Sequence, residues 1–174
     1  MTTLILKKDF REFDDQIKNS VLFKALIESG RQLNAKDLIS GRHKTNYIQI
    51  NKPFLYGCRL VIKSSEAFRV ILFLLEKITG DSYNNIYEYD FSSFPELDRK
   101  INPTKHKIND SVVNTLRRGI NELSTKKIIC VVRNDMKFYT IRLNFFPDTW
   151  NVSNYKKEKI EKIIQRQIKS LMKP

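Results

Sequence analysis

The chain has 174 residues, 41% of them hydrophobic and 11% aromatic, which is enough for one domain with a real core and too apolar for wholesale disorder. No apolar run nears the roughly 18 residues of a membrane span, and the N-terminus MTTLILKKD, lacking a charged leader and reaching Asp9 soon after a short apolar stretch, does not read as a signal peptide; a cytoplasmic protein is expected. The 32 Lys and Arg outweigh 19 Asp and Glu to give +13, of which +10 falls in residues 101–174, an asymmetry that suggests a polyanionic partner, with nucleic acid ahead of an anionic membrane surface.

Residues 9–29 come first. Phe10, Phe13, Ile17, Val21, Ala25 and Leu26 recur at three- and four-residue steps, predicting one amphipathic helix with Asp9 as N-cap and Gly30 as its stop. Residues 34–46 form a polar loop around Gly41-Arg42-His43-Lys44, and Tyr47-Ile48-Gln49-Ile50 alternates as a short strand. A short helix is expected over 52–62, with Pro53 in its first turn and Gly57 weakening its middle. Residues 65–79 give the clearest helix, capped by Ser64 or Ser65 and ended by Gly80. It is apolar nearly all round, so it is placed at the centre of the domain with Phe68, Leu72 and Leu75 buried. A polar turn at 81–85, a strand at 86–91 and a short helix at 93–101, with Pro95 in its first turn, follow.

The next helix spans 110–126, with Asp110 as N-cap. Val112, Val113, Leu116, Ile120 and Leu123 make its apolar stripe, and Asn114, Thr115, Arg117, Arg118 and Asn121 occupy the opposite face. Gly119 inside it costs about 1 kcal/mol against Ala. Two β-rich runs, 128–133 and 138–145, flank a four-residue loop and read as a hairpin, with Ile141, Leu143 and Phe145 on one face and Pro147 as the stop. Residues 153–172 form a last helix, with Ile160, Ile163, Ile164, Ile168 and Leu171 on one side and seven basic residues nearby.

The middle of the chain thus runs helix, strand, short helix, helix, strand, strand, the order of a winged helix-turn-helix. The expected fold is helix-rich α+β in three parts: an N-terminal amphipathic helix and loop (1–46), a winged-helix domain (47–150) and a C-terminal basic helix (151–174). A helix about 10–12 Å across fits the major groove of B-DNA, about 12 Å wide. A helix that reads bases must bury one face and present Asn, Arg, Ser or Thr near its N-terminal half. Ser111, Asn114, Thr115 and Arg118 fill those places on 110–126, with Arg117 and Asn121 beside them. Lys105, His106 and Lys107 form a basic approach suited to phosphate. Lys126 and Lys127 follow the helix, and Arg133 and Lys137 stand at the base and tip of the hairpin.

Residues 64–146 resemble the winged-helix domain of small plasmid replication initiator proteins. The resemblance is carried by SEAFRVILFLLE at 65–76, SVVNTLRRGINEL at 111–123 and FYTIRLNFF at 138–146. These are similar to the family's buried first helix, its recognition helix and its exit strand with an Asn-aromatic ending. The segment 91–109 is longer than the family's second helix and turn. The resemblance implies double-stranded DNA as partner, recognition of direct repeats at an origin, and recruitment of host replication proteins. A transcriptional regulator on the same fold is the first alternative, and a protein–protein interaction module without nucleic acid is the second.

No enzymatic activity, metal or cofactor is expected. His43 and His106 are isolated, no Gly-rich phosphate loop or Ser/Cys nucleophile motif occurs, and there is no His pair on a strand with a Tyr nucleophile. Asp9, Asp14 and Asp15 suit the start of a helix. Cys58 and Cys130 read as two reduced small hydrophobes, with a disulfide or redox pair as the alternative. Three roles stay open for the last helix: a homodimer contact, packing on its own chain, and a basic membrane-surface helix.

Overall fold

Residues 128–132 carry no polar side chain, so a strand built from them must be covered on both faces. The computed structural model describes residues 4–28, 52–78, 88–104, 110–134 and 138–173, and it covers both faces of that strand. Strand β2 (Ile129–Asn134) pairs with β3 (Phe138–Leu143), which pairs in turn with β1 (Glu88–Phe91). All pairing is antiparallel and the sheet order is β1-β3-β2. Ile129, Val131, Ile141 and Leu143 face the main core. Cys130 and Val132 face the other way, onto Phe13 of helix α1 (Arg11–Lys18).

The main core lies between the sheet and helices α3 (Lys52–Val61), α4 (Ser65–Ile78), α5 (Phe94–Ile101) and α6 (Asp110–Thr125). Ser64 caps α4, its hydroxyl accepting from Ala67 N at 3.1 Å. Ser93 caps α5 by accepting from Glu96 N. Gly119 has a packing reason to be in α6. A Cβ there would stand 3.0 Å from Ala67 N and 3.1 Å from the Glu66 carbonyl carbon, so glycine lets the backbones of α4 and α6 meet. Gly57 does the same for Trp150, whose ring would lie 2.8 Å from an added Cβ.

Several expectations are corrected. Leu72 is not buried: it is 62% exposed, and Phe68 is half-buried, because α4 meets partners on only part of its surface despite its apolar composition. The single helix expected over 9–29 is two, α1 and α2 (Val21–Glu28). The break falls at Ser20, whose hydroxyl accepts from Phe23 N at 3.1 Å, while Asp148 accepts from Val21 N at 2.7 Å. These hydroxyl and carboxylate acceptors satisfy backbone donors of the first turn of α2 and so cap a new helix. Phe10, not Asp9, is the N-cap of α1; the Asp9 carboxylate accepts from Arg11 N at 3.0 Å. Strand β3 ends at Leu143, ahead of Pro147. Asn144 ends it: fully buried, it donates to Thr149 Oγ1 at 2.8 Å, accepts from Phe146 N at 2.9 Å, and its carbonyl accepts from Trp150 Nε1 at 3.1 Å. The expected loop at 34–46, strand at 47–50 and turn at 81–85 lie outside the described residues.

Helix α7 (Asn154–Leu171) packs on α3 and α2 of its own chain. Ile160 and Ile164 join the core beside Leu22 and Trp150, and Ile168 and Leu171 pack against its edge. No helix among the described residues is long and apolar enough to cross a membrane.

Candidate nucleic-acid interface

The expected reading face gathers on α6. Leu116, Ile120 and Leu123 are fully buried, on the side from which α6 packs on α4, α5 and β2. Thr115 and Arg118 are exposed, and Asn114, Arg117 and Asn121 are half-buried, so the polar stripe is turned outward as its 3.6-residue spacing requires. Ser111 lies in the first turn of α6, its side chain outside the described residues. Lys105, His106, Lys107 and Lys137 lie outside them too.

Arg117 diverges from Arg118. Its guanidinium sits 5.0 Å from the Phe94 ring of α5. Phe94 lies 5.0 Å from Tyr139 of β3, Phe91 stacks on the same Tyr139 at 5.1 Å, and Arg133 of β2 is 5.7 Å from it. A chain of cation–aromatic contacts therefore joins α6, α5 and the hairpin. Each such contact is worth about 0.5–1 kcal/mol near the surface, which is modest, but together they fix the hairpin against the helix pair. Sequence reasoning named Arg117 and Arg133 but missed Phe91, Phe94 and Tyr139. The pairing of Tyr139 with Phe91 depends on the β1–β3 register, which local sequence does not set.

Below α6, Asn102 fixes the exit of α5. Its Nδ2 donates to Asp98 Oδ1 at 3.1 Å and Glu66 Oε1 at 3.3 Å, and its Oδ1 accepts from Arg69 at 3.3 Å. Glu66, Asp98 and Asn102 are all buried, a setting in which polar groups must be paired.

The far end of α6 holds two different lysines. The Lys126 ammonium donates to Glu122 at 2.8 Å and to the Val61 carbonyl. Glu122 also accepts from Lys63 N at 2.6 Å and Ser64 N at 3.1 Å. Burial pushes the Glu122 carboxyl up, but the Lys126 and backbone hydrogen bonds outweigh it and hold its pKa at about 2. Lys126 thus belongs to a clamp between α6 and the α3–α4 connection. Lys127 is exposed, with φ 57°. Its N–H donates to the Ser124 carbonyl at 3.0 Å and Ile128 N donates to the Leu123 carbonyl at 3.0 Å, the helix end in which glycine is usual.

Among the described residues no cluster of His, Cys, Asp and Glu could hold a metal ion. Cys58 and Cys130 are free and buried, and burial pushes their thiols up to about 12 and about 11. A hollow of about 240 Å³ between α1 and β2, lined in part by Lys7, Lys8, Glu12, Ser124 and Lys127, carries charges of both signs. Comparison of the chain with protein-family models, with curated proteins and with solved structures finds no match.

Proposed function

We propose that this protein binds double-stranded DNA sequence-specifically through a winged helix-turn-helix and acts as a replication initiator of a plasmid or mobile element, recognising origin repeats. The observation that carries the reading is topological. The order α4, β1, α5, α6, β2, β3 with sheet order β1-β3-β2 gives a helix pair followed by a hairpin whose second strand is central, an arrangement compatible with a winged helix. The outward Thr115 and Arg118 support α6 as the recognition helix. In this reading Arg118 takes guanine and Asn114 adenine by bidentate hydrogen bonds, while Lys127, Arg133 and the lysines at 105, 107 and 137 meet phosphate. Host replication proteins are the further partners that the origin role calls for.

The test is selection from a pool of random duplexes, followed by shift assays on the DNA flanking the gene. One enriched motif, present there in iterated copies, is expected; a single copy at a promoter instead supports a transcriptional regulator. Arg118→Ala should cost about 1–3 kcal/mol on the motif and little on random duplex. Equal losses on both duplexes remove α6 from base reading. A protein-interaction module is favoured by one observation, Leu72 standing 62% exposed on α4, and it requires that no duplex be bound.

A further inference from the structure

Helix α7 presents its core with one face only. Ile160, Ile164, Ile168 and Leu171 point to α3 and α2. At about 100° per residue, Lys159, Lys162, Arg166 and Lys169 fall on the opposite side at steps of three, four and three, and Lys173 follows just beyond the helix end. The last four are exposed and Lys159 is half-buried, its ammonium 4.3 Å from the Tyr155 ring. Ion pairs among the described residues lie elsewhere, on α1, α4, α5, α6 and β3, and none engages these five cations. Glu158 and Glu161 stand on one flank of the stripe.

We propose that this outer stripe of α7 is a second contact for the sugar-phosphate backbone of duplex DNA, separate from the contacts of α6 and the hairpin. The proposal rests on the duplex-DNA reading given above. Three observations carry it. The helical part of the stripe, Lys159 to Lys169, runs for about 15 Å at 1.5 Å per residue, a length that reaches several phosphates of a duplex. The start of α7 is tied to the end of α6: Asn151 N donates to the Lys126 carbonyl at 2.8 Å and Asn151 Nδ2 to the Thr125 carbonyl at 3.2 Å. The segment leading into α7 is therefore held to the end of the reading helix, and the stripe follows from there along α7. The apolar face of α7 is occupied by the protein's own core, which removes the surface that an interfacial helix inserts into a bilayer.

The experiment uses the full chain and the quadruple variant K162Q/R166Q/K169Q/K173Q, titrated with a selected and a random duplex between about 50 and 200 mM salt. The variant should weaken both duplexes by the same factor, at least about tenfold at the lower salt. It should make the slope of log affinity against log salt shallower by about three units. Its thermal midpoint should match the parent's, since the replaced side chains are exposed. A second variant, E158Q/E161Q, removes the flanking negative charges and should tighten both duplexes. An unchanged slope in the quadruple variant overturns the α7 contact, while a selective loss in Arg118→Ala on the same duplexes keeps the α6 reading. Absence of duplex binding by the parent overturns both. Loss of binding to phosphatidylserine vesicles with duplex binding intact reassigns the stripe to a membrane and likewise overturns the proposal.

Discussion

Lys127 holds a left-handed φ of 57° at the end of α6, where an L side chain costs about 1–2 kcal/mol. Its side chain is exposed, so no packing in the fold compensates for that strain. Lys127→Gly should therefore raise stability by about 1 kcal/mol in chemical denaturation. If Lys127 meets phosphate, the same variant should bind selected and random duplexes less tightly by one common factor. A more stable protein with unchanged affinity would take Lys127 out of the interface. The neighbouring Lys126 looks identical in sequence, yet its ammonium is turned to Glu122 and Val61. Which of two adjacent lysines faces solvent depends on where α6 ends, and residue types alone do not set that to within one position.

At the scale of elements, Leu72 and Leu74 separate composition from packing. Leu74 is 1% exposed and Leu72 62%. Leu74→Ala should cost about 2–5 kcal/mol and Leu72→Ala under about 1 kcal/mol; comparable losses in denaturant midpoints would contradict the orientation of α4. The run Val70-Ile71-Leu72-Phe73-Leu74-Leu75 has no polar residue to mark an outer face, and for that reason its periodicity hid the orientation. Where polar residues do mark a face, as Thr115 and Arg118 do on α6, the orientation was legible. Boundaries set by local chemistry, Ser64 before α4 and Ser93 before α5, were legible too. The Ser20 break was not, because Asp148, its hydrogen-bond partner, is distant in sequence. The clamp at Glu122 was equally hidden, and it makes a pH prediction. Its folded pKa of about 2 lies below the ordinary 4.5, so its stabilisation is complete above about pH 4.5 and is lost as pH falls toward 2. Glu122→Gln should lower stability at neutral pH by about 1–3 kcal/mol and flatten the acid limb. An acid limb identical to the parent's would show that the clamp does not couple to folding.

At the scale of the molecule, charge and topology support the same reading. The basic part of the chain contains α6, the hairpin and α7, and these elements and the α6–β2 link carry the exposed Arg118, Lys127, Arg133 and the outer stripe of α7. If duplex DNA is the partner, binding is a counterion-exchange reaction, with affinity falling by about 0.9 log units per log unit of salt for each phosphate met. The most direct measurement is the affinity of the full chain for its selected duplex across salt concentration. The account predicts a straight line of log affinity against log salt with a slope of about −4 or steeper. A flat response would contradict duplex DNA as the partner.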